Sequence, residues 1–201
     1  MRKIVVSEFV SLDGVMQAPG LADEDRSGGF QHGGWHMGYL DDIARTYIME
    51  GFADTGALLL GRITYEIFAG YWPKAAESEP MAKIINELPK YVVSTTLREP
   101  LEWKNSHLIS QDVANEVKKL KQQNGKEIQV IGSGKLVQTL MDHQLIDAYR
   151  LMIDPVILGG GKHLFRDRHP KTPLRLADHK TSGTGILIAT YVPDTARSAH
   201  P

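Results

Sequence analysis

Glu127-Ile128-Gln129-Val130-Ile131-Gly132-Ser133-Gly134-Lys135-Leu136 is an apolar run that stops at Gly-Ser-Gly and gives way to a helical pattern. Leu136, Val137, Leu140 and Met141 then recur on one face of a 3.6-residue period. The stretch reads as strand, tight glycine turn, helix. A turn this short leaves the first N–H groups of the helix without intrahelical partners, beside the positive end of the helix dipole. Glycine there lets a phosphate approach the main chain closely. On this turn alone, a dinucleotide pyrophosphate site and an ordinary strand-to-helix connection are both open.

The same logic recurs upstream. Gly56 to Leu60 reads as a buried strand and Gly61-Arg62-Ile63-Thr64 follows it. Tyr65, Ile67, Phe68 and Tyr71 then mark a short helix with Thr64 near its start. Arg62 adds a fixed charge that grips a phosphate with two donors; its alternative is an ion pair with Glu66 one turn on. Tyr91 to Thr96 reads as a strand ending in three hydroxyls, Ser94, Thr95 and Thr96, suited to a phosphate or ribose, or equally to a turn or cap. Asp112 is expected to cap a helix running through Gln123, which Gly125 stops.

At the beginning of the chain, residues 2–10 read as a buried strand broken by Ser11-Leu12-Asp13-Gly14. The segment from Gln17 to His36 carries Gly20, Gly28, Gly29, Gly33 and Gly34 and is expected to be a mobile, lid-like loop. Its His32 and His36 would need a helix to align them on a metal, and the glycines argue against one, so no metal site is expected. Leu40, Ile43, Ala44, Tyr47 and Ile48 form a helical stripe, leaving Asp41, Asp42 and Arg45 on a solvated face or with one carboxylate turned into a cleft. A β-rich run from Leu145 to Leu158 ends at Gly159-Gly160-Gly161, and strands at about 174–181 and 185–192 make a hairpin through Ser182-Gly183-Thr184. Strands alternating with helices, then a hairpin, predict an α/β fold. Its mostly parallel sheet is flanked by helices, with antiparallel strands at the C-terminal end, in one domain over 1–193 with a tail at 194–201.

Composition narrows the function classes. The 201 residues are 42% hydrophobic and 23% charged, with a net charge of -1, so no basic field is expected to draw nucleic acid or an acidic membrane surface. The chain has no cysteine, which removes disulfides, thiol nucleophiles and thiolate metal sites and suits a reducing cytoplasm. MRKIVVSEFV has a basic start, but Glu8 interrupts any signal-peptide core, and no stretch approaches the length of a membrane span. Val137 stands where the Rossmann glycine pattern needs its third glycine, and there is no Gly-Lys-Ser/Thr phosphate loop.

In their order along the chain, Ser11-Leu12-Asp13-Gly14, Leu59-Leu60-Gly61-Arg62-Ile63-Thr64-Tyr65-Glu66, Val93-Ser94-Thr95, Val130 to Gly134 and Pro155 to Gly161 resemble the dihydrofolate reductase-like superfamily. They are most similar to the reductase domain at the C-terminus of the bifunctional riboflavin protein RibD and to its stand-alone relatives. The resemblance implies a mixed sheet of about eight strands. It implies NADPH across the C-terminal strand ends, a small pyrimidine- or pterin-like substrate and a homodimer. By resemblance, Gly61, Arg62 and Thr64 hold phosphate, and Ser94 and Thr95 line the adenosine side. Gly132, Ser133 and Gly134, with Lys135 and Leu136 behind them, hold pyrophosphate and ribose, through a cis peptide between Gly132 and Ser133. Ser11, Asp13, Gly14, Val15 and Met16 edge the nicotinamide and substrate, and Asp41 or Asp42 approximates the carboxylate that protonates a pterin. The chain departs from riboflavin-pathway reductases at Val15, where they have Lys, and at Glu66 to Pro73, where they carry Asp-Pro-x-Leu-Thr. The alternative is a non-catalytic nucleotide-binding or interaction protein that retains the fold.

Overall fold

Eight strands are β1 (Ile4–Ser11), β2 (Thr55–Gly61), β3 (Lys90–Val93), β4 (Ser106–Ile109), β5 (Glu127–Ile131), β6 (Ala148–Asp154), β7 (Leu174–Thr181) and β8 (Leu187–Pro193). They make one sheet in the order β4-β3-β2-β5-β1-β6-β8-β7. The helices are α1 (Asp42–Ala53), α2 (Arg62–Tyr71), α3 (Pro80–Glu87), α4 (Val113–Gln122) and α5 (Gly134–Asp142). This is an α/β fold with a mostly parallel mixed sheet, as the alternation of strand and helix signals predicts. The structure is a computed structural model that describes residues 1–75, 79–167 and 170–197; of the expected tail, 198–201 lie outside the described residues. No helix among the described residues is long and apolar enough to cross a membrane. The chain packs as two compact units, one of Met1–Val5 with Ile48–Ile146 and one of Val6–Tyr47 with the chain from Asp147 onward.

In the first unit β4, β3, β2 and β5 run parallel. Ala57, Leu58, Leu59 and Leu60 are all fully buried, so both faces of β2 are covered, as a central parallel strand requires. Phe52, Leu58, Leu60, Tyr65, Ile85, Val92 and Trp103 form one core cluster; each such side chain contributes about 1.5–3 kcal/mol on burial. Lys90 lies inside it. Its Nζ donates to the Ile85 and Asn86 carbonyls at the end of α3 and lies 4.1 Å from the Trp103 ring centre, and burial pushes its pKa down to about 8.

Three local expectations change here. β3 stops at Val93 because Ser94 Oγ accepts the Thr96 and Leu97 N–H groups and turns the chain. Asp112 stands at the N-cap of α4 with a φ of +50°, but its carboxylate accepts from the Asn115 amide rather than from a helix N–H; its carbonyl takes the Asn115 and Glu116 N–H groups instead. β4 was not anticipated, because Ser106-His107-Leu108-Ile109 is too short to show a period.

In the second unit β6, β8 and β7 are antiparallel, and the β7–β8 hairpin closes on Ser182, whose N–H donates to the Ile186 carbonyl. A smaller core of Val15, Ala18 and Phe30, with Trp35 and Leu158 against it, packs the loops that follow β1 and β6.

Candidate functional site

Parallel register brings the three expected phosphate segments of the first unit together. Gly61 pairs with Val93 and Leu59 with Val130, so the C-terminal ends of β3, β2 and β5 are level. The chain leaves β2 toward β3 on one side, while β5 lies on the other; crevices of this kind at strand ends take ligands in open α/β sheets. The turns after β2 and β5 are strapped to each other. Gly61 N–H donates to Ser133 Oγ at 2.9 Å, Ser133 N–H donates to Thr64 Oγ1 at 2.9 Å, and Ser133 Oγ donates to the Ile131 carbonyl at 3.0 Å. Gly132 and Ser133 both have positive φ, +58° and +63°.

This corrects the expectation of a cis peptide at Gly132–Ser133. Among the described residues the cis bond is at Glu99–Pro100, and the turn after β5 is made by two successive left-handed residues instead.

The electrostatics of these turns suit an anion. α1 and α4 carry Asp42 and Glu116 in their first turns, whereas α2 and α5 carry no acid there. Gly61 gives α2 no capping side chain, and Ser133 makes no cap hydrogen bond to α5. Arg62 opens α2, with Nη1 donating to Glu66 Oε2 at 2.8 Å and Oε1 at 3.0 Å. The two side chains are 42% and 46% exposed, so the pair contributes about 0.3–0.5 kcal/mol. A charge-assisted phosphate contact is worth about 1.5–3 kcal/mol, more than this pair contributes. Ser94 is buried as the turn cap, while Thr95 is exposed. Lys135 is exposed in the first turn of α5; Leu136 is buried, so it offers a ligand only its main chain. Guanidinium, hydroxyls and two acid-free helix starts are a donor set that fits the phosphates of a dinucleotide.

The second unit holds the residues expected on the substrate side. Asp13 is a clamp: Oδ1 accepts the Ser11 hydroxyl at 2.6 Å and Leu158 N–H at 3.1 Å, and Oδ2 accepts Gly159 N–H at 2.8 Å. The Ser11 hydroxyl, followed by the two N–H groups, lowers the Asp13 pKa from 3.8 to about 2. Val15 is fully buried against Ala18 and Phe30; its N–H donates to Ser11 Oγ and its carbonyl accepts Ser11 N–H. Its side chain packs within this loop core. Gly14 (φ +84°) and Met16 pair through the main chain with Leu164 and Lys162.

The Asp41 carboxylate accepts Ala44 N–H at 2.9 Å, starting α1, and Thr184 N–H at 3.2 Å in the β7–β8 turn. The Ala44 N–H chiefly holds its pKa below the usual carboxylate range, which works against proton donation at neutral pH. Asp42 is exposed in the first turn of α1.

The buried pairings of Gln17, His36 and Asp154 were missed. The buried Gln17 amide donates to the Asp25 and Ser27 carbonyls, and its oxygen accepts Lys162 N–H. His36 Nδ1 lies 2.9 Å from Asp154 Oδ2, both side chains buried, with the His36 ring stacked on Phe9 at 3.9 Å. Burial raises the Asp154 pKa and His36 opposes the rise. An acid inside the apolar run Leu151 to Leu158 was the available signal, since a buried carboxylate needs a partner.

The sequence pattern of the RibD C-terminal domain matches residues 2–188. The chain belongs to that family. The uncharacterised protein YyaP of Bacillus subtilis is 28% identical over 199 residues, 94% of each chain. A Shewanella sp. PV-4 protein named for riboflavin biosynthesis superposes with a TM-score of 0.69 at 18% identity, covering 96% of this chain and 99% of its own. Dihydrofolate reductase from Enterococcus faecalis, complexed with NADP(H) and RAB-propyl, has a TM-score of 0.60 at 10% identity, covering 96% of each chain. These RibD-like and dihydrofolate reductase-like neighbours share the fold.

Proposed function

We propose that this member of the RibD C-terminal domain family is an NADPH-dependent reductase of a small heterocyclic, pyrimidine- or pterin-like substrate. The observation that carries the reading is the strapped pair of turns, Gly61–Thr64 and Gly132–Gly134, with Arg62 at its edge and Ser94 just past the end of the next strand. In this reading Arg62 and Thr95 bind the phosphate that distinguishes NADPH from NADH. Thr64, Gly132, Ser133 and Gly134 bind the pyrophosphate on the two helix starts, with Lys135 adding charge. Ser11, Asp13, Gly14 and Met16 build the turn on the nicotinamide and substrate side. The cofactor supplies a hydride when bound. The chain's own part is to bind and orient. Asp13 and Asp41 are held ionised by their hydrogen bonds, so the reading assigns the proton to water rather than to either carboxylate.

The test is a fluorescence titration with NADPH and NADH, followed by turnover with a panel of pterins, pyrimidines and quinones. Arg62→Ala is expected to weaken NADPH by about ten- to a hundredfold, the loss of one charge-assisted contact, and to leave NADH nearly unchanged. Equal losses for both cofactors place Arg62 on the shared pyrophosphate. Absence of binding by the wild type rejects the reading.

A further inference from the structure

Arg62 is already occupied, and by an anion of its own helix. Glu66 holds it through both carboxylate oxygens, at 2.8 and 3.0 Å. With no acid in the first turn of α2 and no capping side chain on Gly61, Glu66 is the acidic group of this helix's first two turns. Glu66 also lines a cavity of about 880 Å³ in the first unit together with Arg98. The Arg98 Nη1 is planted on the Thr95 and Leu97 carbonyls, on the turn that follows β3. Glu66 is thus both the partner of Arg62 and, with Arg98, a lining residue of the cavity.

We infer that Glu66 sets the preference between NADPH and NADH, by competing with the cofactor's terminal ribose phosphate for Arg62. The inference rests on the proposed cofactor reading and adds to it a competitor within the protein. An exposed i, i+4 pair biases Arg62 toward Glu66 by only about twofold, so the pair yields to a phosphate. The displaced carboxylate nonetheless stays on the same helical turn. That keeps it inside the Debye length of about 8–10 Å, where it repels the incoming charge. NADH carries no phosphate at that position and does not depend on the exchange. Glu66 therefore narrows a preference that Arg62 alone would make wide.

The experiment measures NADPH and NADH dissociation constants for the full chain as wild type, Glu66→Gln, Glu66→Lys and Arg62→Ala, at low and at physiological ionic strength. Thermal melts of each variant report folding; Glu66 is exposed, so the substitutions are expected to fold. Glu66→Gln is expected to tighten NADPH by about three- to tenfold, from the freed guanidinium and the removed repulsion, with a smaller gain at higher salt. Glu66→Lys is expected to tighten it further, with NADH within about twofold of wild type throughout. Parallel shifts for both cofactors, no shift, or weaker NADPH binding in Glu66→Gln overturn the inference; the last outcome means that Glu66 orients Arg62 instead. If Arg62→Ala weakens NADPH while Glu66→Gln changes nothing, only the competitor is removed and the cofactor reading stands. A wild type that binds neither cofactor removes both.

Discussion

At Gly132 the main chain holds a φ of +58°, and a Cβ there would lie 2.8 Å from Thr64 Oγ1. Glycine is thus required twice, for conformation and for space. A larger residue there also disturbs the strap between Ser133 N–H and Thr64, because Thr64 must move aside. Gly132→Ala is expected to lose about 2 kcal/mol, from the left-handed backbone and the weakened hydrogen bond. In a chain of this size that is a fall in Tm of about 4–8 °C. NADPH binding by the fraction still folded should fall as well, and an unchanged Tm would mean that the strap contributes little. Asp13 offers a pH test. Its folded pKa is about 2 against an ordinary 3.8, so its clamp contributes fully above about pH 4 and is lost as pH falls toward 2. Asp13→Asn is expected to melt several degrees lower than wild type at pH 7, with the gap closing between about pH 4 and 2. A gap that persists at pH 2 would assign the effect to geometry rather than charge.

The segment from Gln17 to His36 shows what glycine counts hide. Its glycines suggested a mobile lid, yet their backbones are closely packed or turned. A Cβ on Gly33 would come within 2.3 Å of the Ala22 carbonyl oxygen, and Gly28, Gly29 and Gly34 hold positive φ. Trp35 Nε1 donates to the Gln17 carbonyl, Glu24 accepts the Gly20 and Leu21 N–H groups, and His36 ties the far end to Asp154. Gly33 serves close approach, and Gly28, Gly29 and Gly34 serve left-handed turns. Removing His36 leaves the buried Asp154 carboxyl without its hydrogen-bond partner, so His36→Ala is expected to cost about 1–3 kcal/mol beyond the lost packing on Phe9. Replacing both His36 and Asp154 by Leu should recover much of that loss. Urea unfolding of the two variants checks it; equal losses would mean that the ring's packing on Phe9, rather than the hydrogen-bonded pair, holds the segment. Strands and helices with several apolar residues in period, such as β2, β5, α2 and α5, were legible, whereas four-residue β4 was not.

Across the whole chain, the turns at Gly61 and Gly132 were legible and the pairings of the second unit were not, for one reason. Strand, glycine and helix start are contiguous, so the turns at Gly61 and Gly132 are visible locally, and parallel register then brings them together. His36 meets Asp154 across 118 positions, and Asp13 meets Leu158 across 145. One sequence carries no signal for such distant partners. The asymmetry shapes the last prediction, on where a ligand acts. NADPH at a hundredfold excess over its Kd should stabilise the folded chain by about 2.7 kcal/mol, raising Tm by about 5–10 °C. Hydrogen exchange should then slow at the ends of three strands of the first unit, around residues 60–66, 93–98 and 131–137, where the proposed phosphates sit. The amides of Leu158, Gly159 and Lys162, bonded to Asp13 and Gln17 and away from the proposed phosphates, should change least. A ligand that protects those amides first, with the strand ends unchanged, would move the cofactor's phosphates away from Arg62 and the strapped turns.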